Sequence, residues 1–293
     1  MPAFMRTLNL NSIKTRLVLF FLLFGVVPAL CMMGVYLTFK ASIETAFRAP
    51  VKDTAAAVGD AIDRNLFERY GDVQAFGLNA AAWAPENWRN PGAGNSLVAA
   101  MNGYMTNYGI YRLMILIDTQ GGVLAVNSVD PTGKALNTEG IYQLNFADAS
   151  WFKQALAGKF LEGKGGFTGT VVEQPSNNPL VAALYNDDGY TIPFAAPVRN
   201  AAGETIGVWV NFVDFGLVEE IVGTFYKSLA ARGLPHSEIT ILDPEGRIIV
   251  DYDPITNGAT YKRDADVIGK LNLVEKGVEA AVAAVRGENG VIL

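Results

Sequence analysis

The sequence predicts an α+β protein. A membrane-spanning helix at the N-terminus leads into a long helix and then into tandem antiparallel-sheet modules, the second truncated. Three observations predict this. Leu17–Phe39 is an apolar block with no charged residue. Val58, Ile62, Leu66, Val73 and Phe76 then form a stripe at helical spacing. Further on, an Asp-x-x-Gly turn between apolar runs occurs at Asp118 and again at Asp243, 125 positions later.

The apolar block justifies the first element. At a rise of ~1.5 Å per residue it spans ~34 Å, enough for the hydrocarbon core of a bilayer. Pro28 lies mid-span and predicts a kink, which membrane helices tolerate. A cleaved signal peptide has a shorter apolar region of ~7–15 residues. Pro28-Ala-Leu-Cys31 also lacks the leucine that a lipoprotein signal places three positions before its cysteine. Basic residues stand on both sides: Arg6, Lys14 and Arg16 before, Lys40, Arg48 and Lys52 after. Orientation is therefore read from the large acidic domain that follows, with the N-terminus inside and the domain outside.

Charge and cysteine usage narrow the classes. Residues 1–40 carry Arg6, Lys14, Arg16 and Lys40 and no acid, and the whole chain is −6, which leaves −10 for the rest. A basic nucleic-acid face is excluded on that balance. Cys31 is the only cysteine and lies in the apolar block, so neither an internal disulfide nor a thiolate cluster is available.

The second element is a helix over residues 41 to about 85, its stripe read first as facing a core, with a dimer seam continuing up from the membrane as the compatible alternative. Pro50 is expected to break or bend it. Residues 83–95 read as a loop and 96–108 as a short helix. A hairpin follows: Arg112–Ile117, the turn Asp118–Gly121, and Val123–Asn127. The same signature recurs at Glu238–Leu242, Asp243–Gly246 and Ile248–Asp251, with a weaker copy at Asn200–Gly203. Between them the pattern gives a helix at Ala149–Leu156 and strands at Gly166–Val172, Leu180–Tyr185, Ile192–Pro197 and Ile206–Phe212. Phe215–Arg232 is a helical connector. The second module has a hairpin, a loop at Asp253–Asp266 and a helix near Leu273–Arg286, and lacks the later strands of the first.

This order of parts resembles the double Cache, PAS-like periplasmic sensor region of bacterial methyl-accepting chemotaxis proteins and related membrane signal transducers. The residues that carry the resemblance are Glu68–Phe76 on the long helix, Ile117–Gly121 in the first hairpin, Ser150-Trp-Phe152 with Ala155–Gly158, Phe194–Val198 with Gly203, and Leu242–Gly246. It divides the chain into a cytoplasmic N-terminus (1–16), a transmembrane helix (17–39), a helical stalk (40–90), a membrane-distal Cache module (91–216), a helical connector (217–236) and a partial membrane-proximal module (237–293). The apolar block supplies a single anchor in the inner membrane, and the resemblance implies that residues 40–293 are periplasmic. It also implies a homodimer, a small-molecule ligand in the distal module, and no cofactor, catalytic role or nucleic-acid partner. A chemoreceptor is the leading expectation. The sensory half of a membrane histidine kinase or cyclic-dinucleotide synthase, or a stand-alone anchored binding protein, are the alternatives.

The amino-acid-binding branch of that family places an Arg two positions before the Trp, a Tyr after it, a Tyr-x-Asp downstream and an Asp ending the last strand. Trp151 and Asp214 match, whereas Ala149, Phe152 and Glu173-Gln-Pro-Ser depart from the pattern. A ligand carboxylate wants a charge-assisted partner such as Arg, so the departure argues against amino acids. The expected ligand contacts are Trp151 and Phe152 as apolar walls, Asp214 as an ammonium acceptor, and Tyr185 and Tyr190, beside Asp187 and Asp188, as a rim. Plainer roles compete for each: core packing for the aromatics, a helix cap for Asp214, a solvated turn for the rest. Gly158–Lys164 nearly matches a phosphate loop, but Gly165 stands where a hydroxyl is required. His236, the sole histidine, excludes His-rich metal sites and most catalytic triads.

Overall fold

The computed structural model describes residues 12–92, 94–163, 165–257 and 261–291. Arg6, Ala93, Lys164 and Ile292–Leu293 of the sequence readings lie outside them, as do residues 258–260 of the loop read at Asp253–Asp266. The chain divides into two units, Met1–Ala55 and Ala56–Leu293.

The described part of the first unit is helical. α1 (Ile13–Phe21) passes through a wide turn at Leu22–Val26 into α2 (Val27–Gly77). In that turn the Val27 N–H bonds to Leu22 O, five residues back. Pro28 follows directly; it has no N–H to donate, and the helix widens before it. The run Ile13–Gly77 is long and apolar enough to cross a membrane. Of the break or bend expected at Pro50, the break does not occur: Pro50 lies inside α2. Helix-favouring neighbours on both sides, including Ala55–Ala57, carry the chain past the one missing hydrogen bond.

In the second unit α2 supplies the expected stripe: Val58, Val73 and Phe76 are buried and Ile62 and Leu66 pack against the same core. The helix stops at Gly77, short of residues 85–90, and tight turns follow at Ala80–Trp83 and Pro85–Asn87. Trp83 and Trp88 indole N–H groups donate to Gly77 O and Ala82 O, so both rings fold back over these turns. α3 (Ser96–Tyr108) starts where Asn95 caps the Leu97 and Val98 N–H groups, and ends on Gly109 at φ +71°.

Then comes an antiparallel sheet. β1 (Tyr111–Asp118) pairs with β2 (Val123–Val126) and with β6 (Thr205–Asp214); β6 pairs with β5 (Tyr190–Arg199); β5 also carries β3 (Val171–Val172) and β4 (Ser176–Asn177). Strand alternation sorts the residues into two cores. Met114, Leu116, Trp209 and Val213 face α2, α3 and α6 (Gly216–Ala231), whereas Leu113, Ile115, Val208, Val210 and Phe212 face α4 (Ser150–Leu156) and α5 (Pro179–Tyr185).

Three strand and helix boundaries depart from the sequence reading. Leu180–Tyr185 is helical, not a strand, because Asn178 caps its start, Pro179 occupies its first turn and Asn186 adopts the left-handed conformation at its end. The strand placed at 166–172 is only Val171–Val172, since left-handed Gly165, Gly166 and Gly169 break the approach. The last helix is α8 (Glu279–Val285), not 273–286, with left-handed Gly277 before it and Gly287 after it.

Near the C-terminus, β7 (Ile239–Leu242) and β8 (Ile248–Tyr252) form a separate hairpin, followed by the short α7 (Pro254–Asn257). It repeats the β1–β2 hairpin in hydrogen-bond detail. Asp118 Oδ1 accepts from Gln120 and Gly122 N–H groups, and Asp243 Oδ1 from Glu245 and Arg247. A downstream asparagine locks each turn: Asn145 donates to Gln120 O and Asn272 to Glu245 O. Gly121 and Gly246 both sit at φ +88°, with Asn145 or Asn272 packed where a side chain would go. Turns at Asp130 and Asn200 use the same carboxylate or amide brace. Among the described residues the asparagine lock is seen at the two hairpins alone, so the lock, more than the turn motif, marks the repeated unit.

Candidate functional site

The sequence-predicted residues fall on both faces of the sheet. Trp151, Phe152, Tyr185 and Asp214 belong to the α4/α5 face, whereas Tyr190 is on the opposite face and does not join them. The Tyr190 ring packs edge-on against Phe215 and its hydroxyl donates to Ile249 O, so it touches the β7–β8 hairpin. One residue of alternation at the start of β5 decides its side.

Trp151 is 7% exposed. It makes edge-to-face contacts with Phe152 and Phe212, both with ring centroids 6.2 Å away. These aromatics fix α4 on the sheet. Asp214 is the next residue after Phe212 on the same face of β6.

Around Asp214 the structure adds a residue that the sequence reading did not single out. Arg112 is the extra residue of a β-bulge: Tyr111 pairs with Val213 and Leu113 with Phe212, with no β6 partner left between them. Bulges re-aim side chains, and here the guanidinium reaches the α4/α5 face. Its Nη1 lies 3.3 Å from Asp214 Oδ2 and its Nη2 2.5 Å from Asp187 Oδ2. It stacks 3.8 Å from the Tyr185 ring centroid, and the Tyr185 hydroxyl donates to Arg112 O at 2.8 Å. A basic residue near the start of an otherwise apolar strand was the signal available in the sequence.

The Arg112 side chain is only 12% exposed, while those of Asp187 and Asp214 are 42% and 39% exposed. Burial works against the guanidinium charge, but the hydrogen bond it donates to Asp187 and the charges of Asp214 and Asp187 outweigh it and hold its pKa above the ordinary value. Burial pushes the Tyr185 hydroxyl up, against the lowering effect of Arg112. Both groups therefore keep their protons, Arg112 as a cation and Tyr185 as a neutral donor. Arg112 Nε is buried with no hydrogen-bond partner in the protein. Asp214 also accepts from the N–H of Gly216, the first residue of α6, at 2.9 Å, so it braces the start of that helix and pairs with Arg112 at once. The assembly can present half-exposed carboxylate oxygens to a cation or amine, and a cation to a carboxylate that displaces one of them.

The other singled-out features lie elsewhere. His236 is exposed in a turn after α6. The loop resembling a phosphate site leads into β3 with no helix behind it. Among the described residues no three His, Cys, Asp or Glu side chains converge as a metal site would require.

No family model matches the chain, and no curated protein matches its sequence. Solved structures do match its fold. The ligand-binding domain of the Campylobacter jejuni chemoreceptor Tlp3, in complex with L-valine, is 12% identical, with 78% of this chain and 77% of that one covered at a TM-score of 0.50. The extracellular domain of the putative histidine kinase vpHK1S-Z8 is 13% identical, with 72% of each chain covered at a TM-score of 0.50. The α+β sheet architecture is thus shared with the ligand-binding domain of a chemoreceptor and the extracellular domain of a putative histidine kinase.

Proposed function

We propose that this chain is the sensory part of a membrane-anchored receptor, that the first sheet module binds a small charged molecule outside the cytoplasm, and that the chain performs no catalysis. The observation that carries the reading is the Arg112 bulge: a largely buried cation on an aromatic face, bridging two half-exposed carboxylates at the end of the sheet. The fold shared with a chemoreceptor domain solved with L-valine supports a small-molecule ligand of that size. The site comprises Arg112, Asp214, Asp187 and Tyr185, with Trp151 and Phe152 as the apolar wall. Tyr190 is left out of it.

The chain also offers a route from that face to the long helix. The loop after α4 is tied to α2: the Tyr70 hydroxyl donates to Leu161 O at 2.7 Å, and Gln74 donates to Thr168 O and Thr170 Oγ1. A shift of α4 on ligand binding would pull on α2 through these bonds.

The test is thermal-shift screening of the full chain in detergent against simple amines, carboxylates and zwitterions. A ligand at a hundredfold its Kd stabilises by ~2.7 kcal/mol. Asp214→Ala and Arg112→Ala are expected to abolish the shift. Unchanged affinity in both variants would overturn the site. A second reading, the input half of a membrane histidine kinase, is favoured by the match to an extracellular domain of that class. It uses the same site and differs in the output attached.

A further inference from the structure

Asp187 and Asp188 are consecutive, and each is held by a different arginine. Asp187 pairs with Arg112 of β1. Asp188 pairs with Arg263, which follows the β7–β8 hairpin. Both arginines also grip the segment where β6 becomes α6. Arg112 reaches Asp214 at the end of β6. Arg263 binds Glu219 in the first turn of α6 through two bonds, Nε to Oε1 at 2.8 Å and Nη2 to Oε2 at 2.9 Å. The result is a closed ring. One arginine on each side clamps the α5–β5 turn to the β6–α6 junction.

The turn inside this ring is stiff. Asp187 and Asp188 use Oδ1 to accept the Gly189 and Tyr190 N–H groups, which leaves Oδ2 of each for its arginine. Asn186 and Gly189 bracket the pair in the left-handed region, at φ +54° and +62°. Asn177 Nδ2 ties Asp188 O to β4. Arg263 is itself seated 4.5 Å from the Tyr190 ring centroid, and the Tyr261 hydroxyl donates to Glu219 Oε1 at 3.1 Å. Two short acidic segments are thus locked in register, and a rigid body between two clamps cannot move at one without moving at the other.

We infer that the Asp187–Asp188 turn couples the Arg112 site to the β7–β8 unit, so that loosening the Asp187–Asp214 clamp at one end weakens the Asp188–Glu219 clamp at the other. Arg263 is then a positioning residue for the binding face, although it lies on the opposite face of the sheet. The identity of the site rests on the proposed function, but the coupling is tested without any ligand.

The experiment is a double-mutant cycle on urea unfolding of the full chain in detergent, with Arg112→Met and Arg263→Met. Methionine keeps the aliphatic stem and removes the charge. Separate sites that share no partner add to within about twofold in the unfolding constant. The coupled ring predicts that the double variant departs from the product of the single effects by about threefold or more, in the direction of a smaller second loss. Should Arg263→Met fail to fold, Asp188→Asn completes the cycle with Arg112→Met, because Asp188 is half-exposed and the amide keeps its shape. Additive effects in the completed cycle overturn the inference. A chain that responds to no ligand yet shows the coupling would sink the binding reading alone; ligand binding with additive clamps would sink the coupling alone.

Discussion

Gly189→Ala is the sharpest single test of the turn on which the site depends. Gly189 has φ +62°, and a Cβ there would lie 2.3 Å from Asn178 O and 2.6 Å from Ala182 N, both backbone atoms at the start of α5. Three costs combine. Left-handed backbone for an L-residue costs ~1–2 kcal/mol. Backing α5 away strains the packing by ~1–3 kcal/mol. The Asn178 N–H to Gly189 O bond of 2.9 Å is lost with it, at ~1 kcal/mol. The sum is ~3–6 kcal/mol, which at ~2–4 °C per kcal/mol for a domain of 150–250 residues lowers Tm by ~6–24 °C. Gly203→Ala is the matched control: its φ is +82°, but nothing lies within 4 Å of the added methyl, so only the backbone cost of ~1–2 kcal/mol applies. Thermal melts of both variants, followed by tryptophan fluorescence, decide the matter. Equal losses in the two would refute the argument that backbone contact with α5 sets the cost.

Other substitutions separate packing from binding. Trp151→Ala empties a buried aromatic position and is expected to cost ~3–5 kcal/mol in urea unfolding, whereas Trp151→Phe keeps most of the contact and should retain the larger part of that stability; a near-neutral Trp151→Ala would show that the ring does not hold α4. Tyr111→Phe removes the donor to Asp72 Oδ2, a bond to a charged group worth ~1.5–3 kcal/mol; a cost under ~0.5 kcal/mol would mean that Arg69, whose Nε lies 3.0 Å from the same Oδ2, alone satisfies Asp72. Burial disfavours the Asp188 charge, but Arg263 and the Tyr190 N–H hold its carboxyl below the usual range. Its folded pKa is thus depressed, so its stabilisation is complete above the unfolded value of ~3.9 and is lost as pH falls through the folded value. Asp188→Asn should therefore be less stable than wild type at pH 7, and the gap should narrow below about pH 4; a gap independent of pH would remove the charge from the account.

The helix stripe on α2, the sheet hairpins and α6 were legible because each is set by local periodicity or by turn chemistry within a few residues. α5 was misread as a strand because its seven residues are too few for periodicity to separate helix from strand. The capping signals at Asn178, Pro179 and Asn186 were in the sequence and outweigh the pattern. Arg112 could not be placed from sequence, because its direction depends on a bulge in the pairing of β1 with β6, segments far apart along the chain. The placement of Tyr190 was hidden for a related reason: which face it takes depends on register against β6, not on its neighbours.

The sequence alone determined where the apolar span lies, which segments are amphipathic, and that Asp, Asn and Gly close the hairpins, since each of these follows from the preferences of adjacent residues. Tertiary structure decided which charges meet. Arg112, Asp187 and Asp214 lie on three strands and turns; Asp188 shares the turn of Asp187, and Glu219 and Arg263 lie on two further segments. Coulomb attraction and hydrogen bonding act over a few ångströms in space, and only the folded sheet brings those groups that close.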